Sequence, residues 1–599
     1  MNKLETLRRH FGHEAFRPLQ EEAVDAILSG RDLLMILPTG GGKSLCYQLP
    51  TLMMPGVTVV ISPLLALMHD QVTALREQGI AAAMLGSMQS QEEQREVLAQ
   101  LRRGELKLLY VAPERLAGEF FSRLLQTLPV NFFVIDEAHC VSEWGHEFRQ
   151  DYRRLSWLRE RFGSIPIAAF TATATAEVER DIAEQLRLRD PVRVRGSLYR
   201  ENLTVTARHR LGDGRGQLLE LLAAHRGESG IVYTLSRKQT ESLAEFLRSK
   251  GHKAAAFHAG LEAEEKRRVY EAFLADEIET VVATVAFGMG IDKSNIRYVV
   301  HMSLPKSVEN YYQEIGRAGR DGLEAETLLL FGAQDLLMQR RFIDELPEIP
   351  YKAHAYEKLE AFWRLCTSET CRHRALAGYF GEELPACGKR CDNCLAPASQ
   401  QREITEEARK FLAAAWRSGQ RFGTGYLIDL LRGSRDRRIL ANGHESLSVY
   451  GIGKELDRKQ WGVVADRLLE LGATTLNEHK GVVLTQKGAE ILKGLEAVTI
   501  RQERMETKAP SRRASVEPEL PDDFDAELFE RLRERRKAIA REHGVPPYVV
   551  FSDKTLRELA IHRPADREEM LSIHGIGEVK FERYGELFLE VLEEVNRFS

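Results

Sequence analysis

The sequence predicts an α/β protein in which two parallel-sheet units stand in tandem and smaller, mostly helical modules follow. Three observations lead to this prediction. Short apolar runs alternate with helical patterns up to about residue 340, and the alternation restarts near residue 230. Such alternation is typical of parallel sheets covered by helices. After about residue 336 the pattern becomes helical and ends in a cluster of cysteines.

The individual elements follow from local patterns. The predicted strands are the apolar runs 32–36, 57–61, 106–111, 132–135, 230–233, 280–284 and 298–301. A β-hairpin is expected around residues 479–481, and a charged, proline-containing stretch without apolar periodicity reads as a linker. The predicted units are therefore 1–205 and 206–335 (the sheet units), 336–400 (cysteine cluster), 401–500 (helices and hairpin), 501–522 (linker) and 523–599 (a small helical domain).

Length and composition limit the function classes. A chain of 599 residues is too long for one core, and 43% hydrophobic with 29% charged residues is typical of a globular protein. No apolar run approaches the roughly 18 residues of a membrane span, and no secretory signal opens the chain, so a cytoplasmic location is expected. The net charge of −5 does not by itself indicate nucleic-acid binding, but a local basic face would suffice.

A glycine-rich loop, residues 37–44, lies between an apolar strand and a helical pattern. This arrangement predicts a phosphate cradle, in which backbone N–H groups converge on phosphate oxygens. Lys43 would neutralise the β and γ phosphates, and the Ser44 hydroxyl would lie at Mg²⁺. Thr39, Gly40 and Gly42 complete the cradle. A chance glycine-rich turn is the alternative for this loop taken alone.

Charged motifs elsewhere supply the rest of a nucleotide site. Asp136 and Glu137 follow the apolar strand that ends at Ile135; Asp136 would hold Mg²⁺ through water, and Glu137 would orient and deprotonate the attacking water. Arg317 and Arg320 lie three residues apart, flanked by glycines, and are predicted to fall on one side of a helical turn. Their planar side chains suit phosphate oxygens, so they are expected to reach a nucleotide held by the other sheet unit.

Two further clusters carry specific chemistry. An irregularly spaced set, Trp144, His146, Phe148 and Arg149, follows the acidic motif in a predicted loop, and aromatic faces of this kind stack on single-stranded bases. An aromatic cluster that braces the two sheet units is the alternative for Trp144. Four cysteines, Cys371, Cys387, Cys391 and Cys394, have the spacing C-x15-C-x3-C-x2-C, which predicts a closed structural zinc site.

With these motifs the chain resembles the RecQ family of DNA helicases, within helicase superfamily two, and especially the bacterial form. The resemblance is carried by residues 16–20, 39–44, 62–64, 112–116, 136–139, 170–174, 281–292 and 313–322, and it continues through the cysteine cluster and the C-terminal modules. It implies two tandem RecA-like motor domains, a helical zinc-binding module, a winged helix and an all-α HRDC domain. The cofactors that it implies are ATP, Mg²⁺ and structural Zn²⁺.

The resemblance also implies roles for residues that the motifs alone do not assign. Arg17 and Gln20 would read adenine, and His13 occupies the position of an aromatic residue that stacks on the base. Gly290 and Asp292 would approach the nucleotide from the second motor domain. Lys454 and Arg458 in the winged helix, and Lys580 and Tyr584 in the HRDC domain, are expected to contact DNA.

The leading hypothesis is an ATP-driven helicase that moves 3′ to 5′ along one strand and unwinds duplex DNA in repair and recombination. Single-stranded and duplex DNA, tailed or branched, would be its substrates; single-strand-binding protein and other repair proteins would be partners, at the bacterial nucleoid. Three alternatives remain open: a translocase that remodels DNA junctions without processive unwinding, a DNA-tethering protein with a vestigial motor, and an RNA helicase.

Overall fold

The computed structural model describes residues 2–63, 65–86, 89–116, 118–142, 149–285, 287, 293–346, 349–395, 401–477, 481–505 and 525–598. The first α/β domain is built on a seven-stranded sheet with the order β3-β4-β2-β5-β6-β1-β7, in which every pair of neighbours is parallel. Its strands are β1 (Leu33–Ile36), β2 (Val57–Ile61), β3 (Ala82–Leu85), β4 (Leu108–Val111), β5 (Val130–Ile135), β6 (Ile167–Thr171) and β7 (Val192–Arg195).

Helices cover both faces of this sheet, which explains why its central strands are continuous apolar runs. They are α1 (Lys3–Thr6), α2 (Gln20–Leu28), α3 (Lys43–Met53), α4 (Leu65–Glu77), α5 (Gln91–Arg102), α6 (Pro113–Leu116), α7 (Glu119–Gln126), α8 (Gln150–Arg153), α9 (Trp157–Arg161) and α10 (Ala176–Gln185). Strands β5, β6 and β1 are neighbours, so their carboxyl ends bring three different loops to one edge of the sheet. In open parallel sheets this edge is where ligands bind.

The second α/β domain repeats the design with a six-stranded parallel sheet of order β10-β11-β9-β12-β13-β8. Its strands are β8 (Leu203–His209), β9 (Ser229–Tyr233), β10 (Ala254–Phe257), β11 (Thr280–Ala283), β12 (Ile296–His301) and β13 (Ala325–Phe331). Its helices are α11 (Arg215–Ala224), α12 (Arg237–Ser249), α13 (Ala263–Leu274), α14 (Val308–Ile315) and α15 (Ala333–Asp344). The predicted fold class is confirmed.

Smaller modules follow the two sheets. The cysteine module contains α16 (Ile349–Thr367), α17 (Arg372–Tyr379) and α18 (Asp392–Leu395). The hairpin domain contains α19 (Thr405–Arg417), α20 (Thr424–Leu431), α21 (Arg437–Ala441), α22 (Arg458–Glu470), α23 (Gln486–Leu492) and α24 (Gln502–Met505), with β14 (Gln401–Glu403), β15 (Thr474–Leu476), β16 (Val482–Leu484) and β17 (Thr499–Arg501). The C-terminal domain contains α25 (Ala526–His543), α26 (Pro547–Val550), α27 (Asp553–His562), α28 (Arg567–Leu571), α29 (Glu578–Lys580) and α30 (Glu586–Phe598).

Two predicted boundaries differ from the structure. The boundary at 205/206 falls inside β8, because the chain leaves the first sheet after Arg195 and enters the second at Leu203. The predicted linker begins too early, since β17 pairs with β14 and α24 continues the hairpin domain to Met505. The predicted hairpin is formed by β15 and β16. Across the described ranges, no helix combines the length and apolar character that crossing a bilayer requires.

Candidate nucleotide and metal sites

The phosphate loop, residues 37–42, joins β1 to α3 in a conformation that requires glycine. Gly40 and Gly42 have φ values of 82° and 83°, in the left-handed region that side chains disfavour. A Cβ atom on Gly41 would lie 2.6 Å from Leu37 Cγ. Lys43 begins α3, and its Nζ donates a hydrogen bond to the Leu37 carbonyl at 2.8 Å. The loop therefore presents its backbone at a helix N-terminus, the arrangement that binds phosphate.

Two carboxylates share this pocket with Lys43. Asp136 follows β5, and its carboxylate accepts hydrogen bonds from Ser62 Oγ at 3.3 Å and from the Glu137 N–H at 3.0 Å. Burial, together with the negative charge of Glu137, raises the pKa of Asp136 to about 7, against the opposing charge of Lys43. Burial likewise lowers the pKa of Lys43, and both carboxylates oppose that shift.

Glu137 is connected to the end of β6 through His139. Its backbone has a φ of 48°, a strained value for a residue with a side chain and one that is common at functional sites. Glu137 Oε2 lies 3.3 Å from His139 Nδ1, which is 3.0 Å from Thr171 Oγ1. Thr171 in turn donates to the Thr173 carbonyl at 3.1 Å. The sequence pattern assigns no role to His139; the signal that it offers is the position of this histidine two residues after Glu137.

The arginine loop, residues 316–320, brings the second α/β domain to the phosphate loop. Arg317 and Arg320 follow α14, which ends at Ile315, and lie in consecutive turns; the Ala318 N–H, for example, donates to the Ile315 carbonyl at 3.1 Å. A Cβ on Gly316 would be 3.2 Å from Thr39 Cβ, and a Cβ on Gly40 would be 3.4 Å from Arg320 Cα. Small residues on both sides thus allow the two loops to touch.

These groups surround one cavity of about 640 Å³. Its lining includes the predicted residues His13, Arg17, Gln20, Thr39, Gly40, Gly42, Lys43, Ser44, Asp136, Glu137, Arg317 and Arg320. In this structure Arg17 Nη1 donates to the Gly40 carbonyl at 2.8 Å, and Gln20 Nε2 donates to the Gly42 carbonyl at 3.2 Å. Both side chains therefore hold the phosphate loop while facing the cavity.

The C-terminal domain forms part of the same cavity wall, which the sequence did not predict. It contributes Tyr548, Val549, Ser552, His574 and Lys580. The His574 ring lies 4.9 Å from the His13 ring, and the Gly575 N–H donates to the Gly12 carbonyl at 3.1 Å. Burial, and then nearby positive charge, lowers the pKa of His13 to about 4, so its imidazole is neutral at pH 7.

Residues predicted to contact DNA fall into three groups. The first group lies outside the described residues and consists of Trp144, His146 and Phe148. Two residues predicted to approach the nucleotide, Gly290 and Asp292, also lie outside them. Arg149 is described and lines a second cavity of about 330 Å³, whose other walls come from the second α/β domain and include Thr234, Ser303, Lys306 and Asn310. This cavity is therefore also shared by the two α/β domains.

The remaining predicted DNA contacts lie in the hairpin and C-terminal domains. Lys454 is exposed, and Arg458 at the start of α22 is ion-paired with Asp429. Lys580 Nζ donates to the Val549 carbonyl at 2.8 Å, and the Tyr584 hydroxyl donates to Glu77 of the first α/β domain at 2.7 Å. In this arrangement Lys580 and Tyr584 are thus engaged by contacts within the chain.

The four predicted zinc ligands converge. The Sγ atoms of Cys371, Cys387, Cys391 and Cys394 all lie within 4.8 Å of one another. The Cys371 and Cys391 sulfurs are 3.9 Å apart, close to the roughly 3.8 Å edge of a tetrahedron with Zn–S bonds of about 2.3 Å. The donor set and its spacing fit a structural zinc ion.

Comparison with known families divides the chain along these same units. Matching family models are the DEAD/DEAH box helicase (residues 17–181), the helicase conserved C-terminal domain (215–322), RecQ zinc-binding (333–395), the RQC domain (398–509) and the HRDC domain (525–592). All five follow one another in chain order, and the first two fall within the two α/β domains.

Curated relatives are similar over almost the whole chain. A protein of Pasteurella multocida named ATP-dependent DNA helicase RecQ is 42% identical over 598 residues, which cover 99% of this chain and 93% of that protein. Proteins with the same name from Haemophilus influenzae and Bacillus subtilis are each 42% identical, over 99% of this chain and 96% and 98% of their own lengths.

Proposed function

Because this chain belongs to the RecQ family of ATP-dependent DNA helicases, we propose that it moves 3′ to 5′ along one DNA strand and unwinds duplex in repair and recombination. The energy comes from ATP hydrolysis in the 640 Å³ cavity. ATP with Mg²⁺ and a structural zinc ion are its cofactors.

One observation carries the proposal: the phosphate loop of one α/β domain touches the arginine loop of the other. The approach is close: a Cβ atom added to Gly316 would lie 3.2 Å from Thr39 Cβ, and one added to Gly40 would lie 3.4 Å from Arg320 Cα. A nucleotide bound here contacts both domains at once, so hydrolysis and product release change the contacts that hold the domains together. A change in domain separation is what a motor on a polymer track needs.

The residues of the cavity have distinct proposed roles. Lys43 and the loop N–H groups bind the β and γ phosphates, and Glu137 orients the attacking water and accepts its proton. Asp136 and Ser44 hold Mg²⁺, which when bound neutralises phosphate charge.

Arg317 and Arg320 stabilise the charge that develops at the transferred phosphoryl group. His13, Arg17 and Gln20 hold the adenine.

The second cavity is the proposed crossing point of single-stranded DNA. Arg149 and Lys306 supply positive charge from opposite α/β domains, and Ser303 and Asn310 add polar groups suited to the DNA backbone. Arg149 Nη1 also donates to the Pro63 carbonyl at 2.9 Å, which ties this site to the strand that precedes Ser62 and so to Asp136. This link offers a route by which bound DNA changes hydrolysis.

The wider setting follows from the same family. We propose tailed or branched DNA as substrate, single-strand-binding protein and repair proteins as partners, and a cytoplasmic, nucleoid-associated location. Lys454 and Arg458 contact duplex DNA in this proposal, while Lys580 and Tyr584 contact DNA only when the C-terminal domain leaves Glu77. A translocase that remodels junctions without processive unwinding remains the alternative.

Strand displacement on duplexes with a 3′ or a 5′ single-stranded tail tests the proposal. The expected result is ATP-dependent displacement of the 3′-tailed duplex alone, with DNA-stimulated ATPase activity on both tails. ATPase activity without displacement of either duplex would favour the translocase, and preferential displacement of the 5′-tailed duplex would overturn the polarity. Stronger stimulation by RNA than by DNA would overturn the substrate class.

A further inference from the structure

The segment that connects the two α/β domains, residues 196–202, begins against the phosphate loop. The Gly196 N–H donates to the Ile36 carbonyl at 2.9 Å, at the end of β1. A Cβ atom on Gly196 would lie 2.4 Å from Leu37 Cδ1, so a larger residue here would displace the Leu37 side chain. The start of the connector is therefore fixed relative to the residues that lead into the phosphate loop.

The other end of the connector is hydrogen-bonded to the arginine loop. Arg200 donates from Nη1 to the Gly316 carbonyl at 3.0 Å and from Nη2 to the Gly319 carbonyl at 2.6 Å. Asn202 Nδ2 donates to the same Gly319 carbonyl at 2.8 Å and to the Leu323 carbonyl at 2.7 Å. Two connector side chains thus bond the backbone on both sides of Arg317 and beside Arg320.

The geometry of these contacts is demanding. A guanidinium group is planar and rigid, so bonding two carbonyls with its two terminal nitrogens fixes their separation and orientation. Gly319 has a φ of 59°, and a Cβ there would be 2.5 Å from Asn202 Nδ2. Glycine at this position is what lets the Asn202 amide reach the loop backbone.

The connector is itself held by its surroundings. The Tyr312 hydroxyl donates to the Leu198 carbonyl at 2.7 Å, and Glu382 of the cysteine module accepts hydrogen bonds from the Ser197 hydroxyl and the Leu198 N–H. Because these contacts hold the connector in place, a shift of one α/β domain also moves the connector.

We propose that Arg200 and Asn202 are positioning residues for ATP hydrolysis, which hold the arginine loop in the register that brings Arg317 and Arg320 to the nucleotide phosphates. The inference rests on the proposed catalytic role of those two arginines. In this proposal the connector does more than join the two domains. It sets the distance between the phosphate loop at one end and the arginine loop at the other.

The test compares Arg200→Ala, Arg200→Lys and Asn202→Ala in the full-length protein. The control is Arg159→Lys, since Arg159 also donates to backbone carbonyls, at Arg187 and Ile165, but lies in the first α/β domain and outside the cavity lining, where it is ion-paired with Asp32. DNA-stimulated kcat and KM for ATP, binding of a fluorescent ATP analogue and the thermal midpoint are measured for each variant.

The expected loss lies in kcat, because a misplacement of about 1 Å in a catalytic group can cost about 10²-fold. Arg200→Ala should approach that loss while analogue binding and the thermal midpoint stay near those of Arg159→Lys. Arg200→Lys should recover part of the rate, since it keeps a donor and the charge. An unchanged kcat, or a loss explained by a lowered midpoint, would overturn the proposal.

A double-mutant cycle separates positioning from general stabilisation. If Arg200 acts through Arg317 and Arg320, adding Arg200→Ala to a protein that already carries Arg317→Ala and Arg320→Ala should change the residual rate by no more than about twofold. Losses that multiply would overturn the proposal. If Arg320→Ala alone keeps the full rate, the proposed arginine role fails instead, and the two failures are thereby distinguished.

Discussion

At the scale of single residues, the nucleotide cavity concentrates opposed charges that each depend on the others. Lys43 lies among Asp136, Glu137 and Arg320; burial lowers its pKa, and the two carboxylates oppose that shift. Glu137 is held in a strained backbone conformation and linked through His139 to Thr171. Such pre-arranged charge is typical of sites that stabilise a transition state.

Lys43→Ala tests the phosphate contact. The substitution removes the ammonium but leaves the loop glycines in place, so we expect DNA-stimulated ATPase activity to fall by about 10²-fold or more. DNA binding, measured by fluorescence anisotropy without nucleotide, should stay close to that of the unmodified protein. A variant that loses DNA binding as well, with an unchanged circular dichroism spectrum, would contradict separate nucleotide and DNA sites.

The low pKa of His13 predicts how ATP affinity depends on pH. Burial and nearby positive charge lower this pKa to about 4, so the ring gains no charge between pH 5.5 and 8, where an ordinary histidine titrates near about 6.5. The ratio of ATP dissociation constants for the unmodified protein and His13→Phe should therefore be constant over this range. Taking the ratio cancels the titration of ATP itself, and an inflection near pH 6.5 would refute a neutral His13.

At the scale of elements, the cysteine module does more than hold a metal. Strand β8 lies at the edge of the second sheet, and the N–H of its Val205 donates to the carbonyl of Arg390 at 2.9 Å. Arg390 directly precedes Cys391. Arg372 bonds both carboxylate oxygens of Asp392, at 3.0 and 3.1 Å, next to the same cysteine. The four-cysteine cluster therefore fixes the edge of the second sheet as well as its own helices.

Cys391→Ser tests this structural role. It should lower bound zinc from one ion per chain to near zero, measured by a colorimetric chelator after unfolding. It should also lower the thermal midpoint of the protein by about 5 °C or more. Each kcal/mol of lost stability lowers the midpoint of a domain of about 150–250 residues by roughly 2–4 °C. Cys366→Ser, at a buried cysteine outside the cluster, is the control and should retain zinc. Full zinc content in Cys391→Ser would contradict the assigned ligand set.

Local sequence patterns predict these elements well where burial determines the residue type. All seven predicted apolar runs coincide with strands, because a parallel strand covered on both faces needs continuous apolar residues. The phosphate loop and the Asp136–Glu137 pair are also predictable, since their chemistry depends on adjacent residues. Local patterns do not predict the contacts of Arg200 and Asn202 with the arginine loop, because these side chains bond backbone carbonyls that are far away in the sequence.

At the scale of the whole molecule, the C-terminal domain bridges both α/β domains. Arg583 pairs with Glu77 of the first domain at 2.6 Å, and Arg533 Nη2 donates to the Gly227 carbonyl of the second at 3.0 Å. The same domain contributes His574 and Lys580 to the nucleotide cavity. No local pattern predicts this docking, because charged residues such as Glu77 and Arg583 show no preference for a partner until the domains meet.

A charge exchange tests the docked arrangement. Glu77→Arg removes the acceptor for both Arg583 and Tyr584. Hydrogen bonds to a charged group contribute about 1.5 kcal/mol or more, so the equilibrium constant for docking should fall about tenfold and the docked fraction should fall with it. Fluorescence energy transfer between dyes on the first α/β domain and the C-terminal domain reports that fraction. Combining Glu77→Arg with Arg583→Glu should restore much of it, and equal transfer in all three proteins would contradict docking through this pair.

In the proposed mechanism, one ATP site assembled from both α/β domains drives this helicase. Single-turnover hydrolysis of ATP by Arg320→Ala, with saturating single-stranded DNA, is the test of this shared site. An arginine that stabilises phosphoryl transfer is worth about 10³-fold or more, so hydrolysis should fall by that order while binding of a fluorescent ATP analogue changes far less. Hydrolysis near the rate of the unmodified protein would show that the second domain does not complete the site.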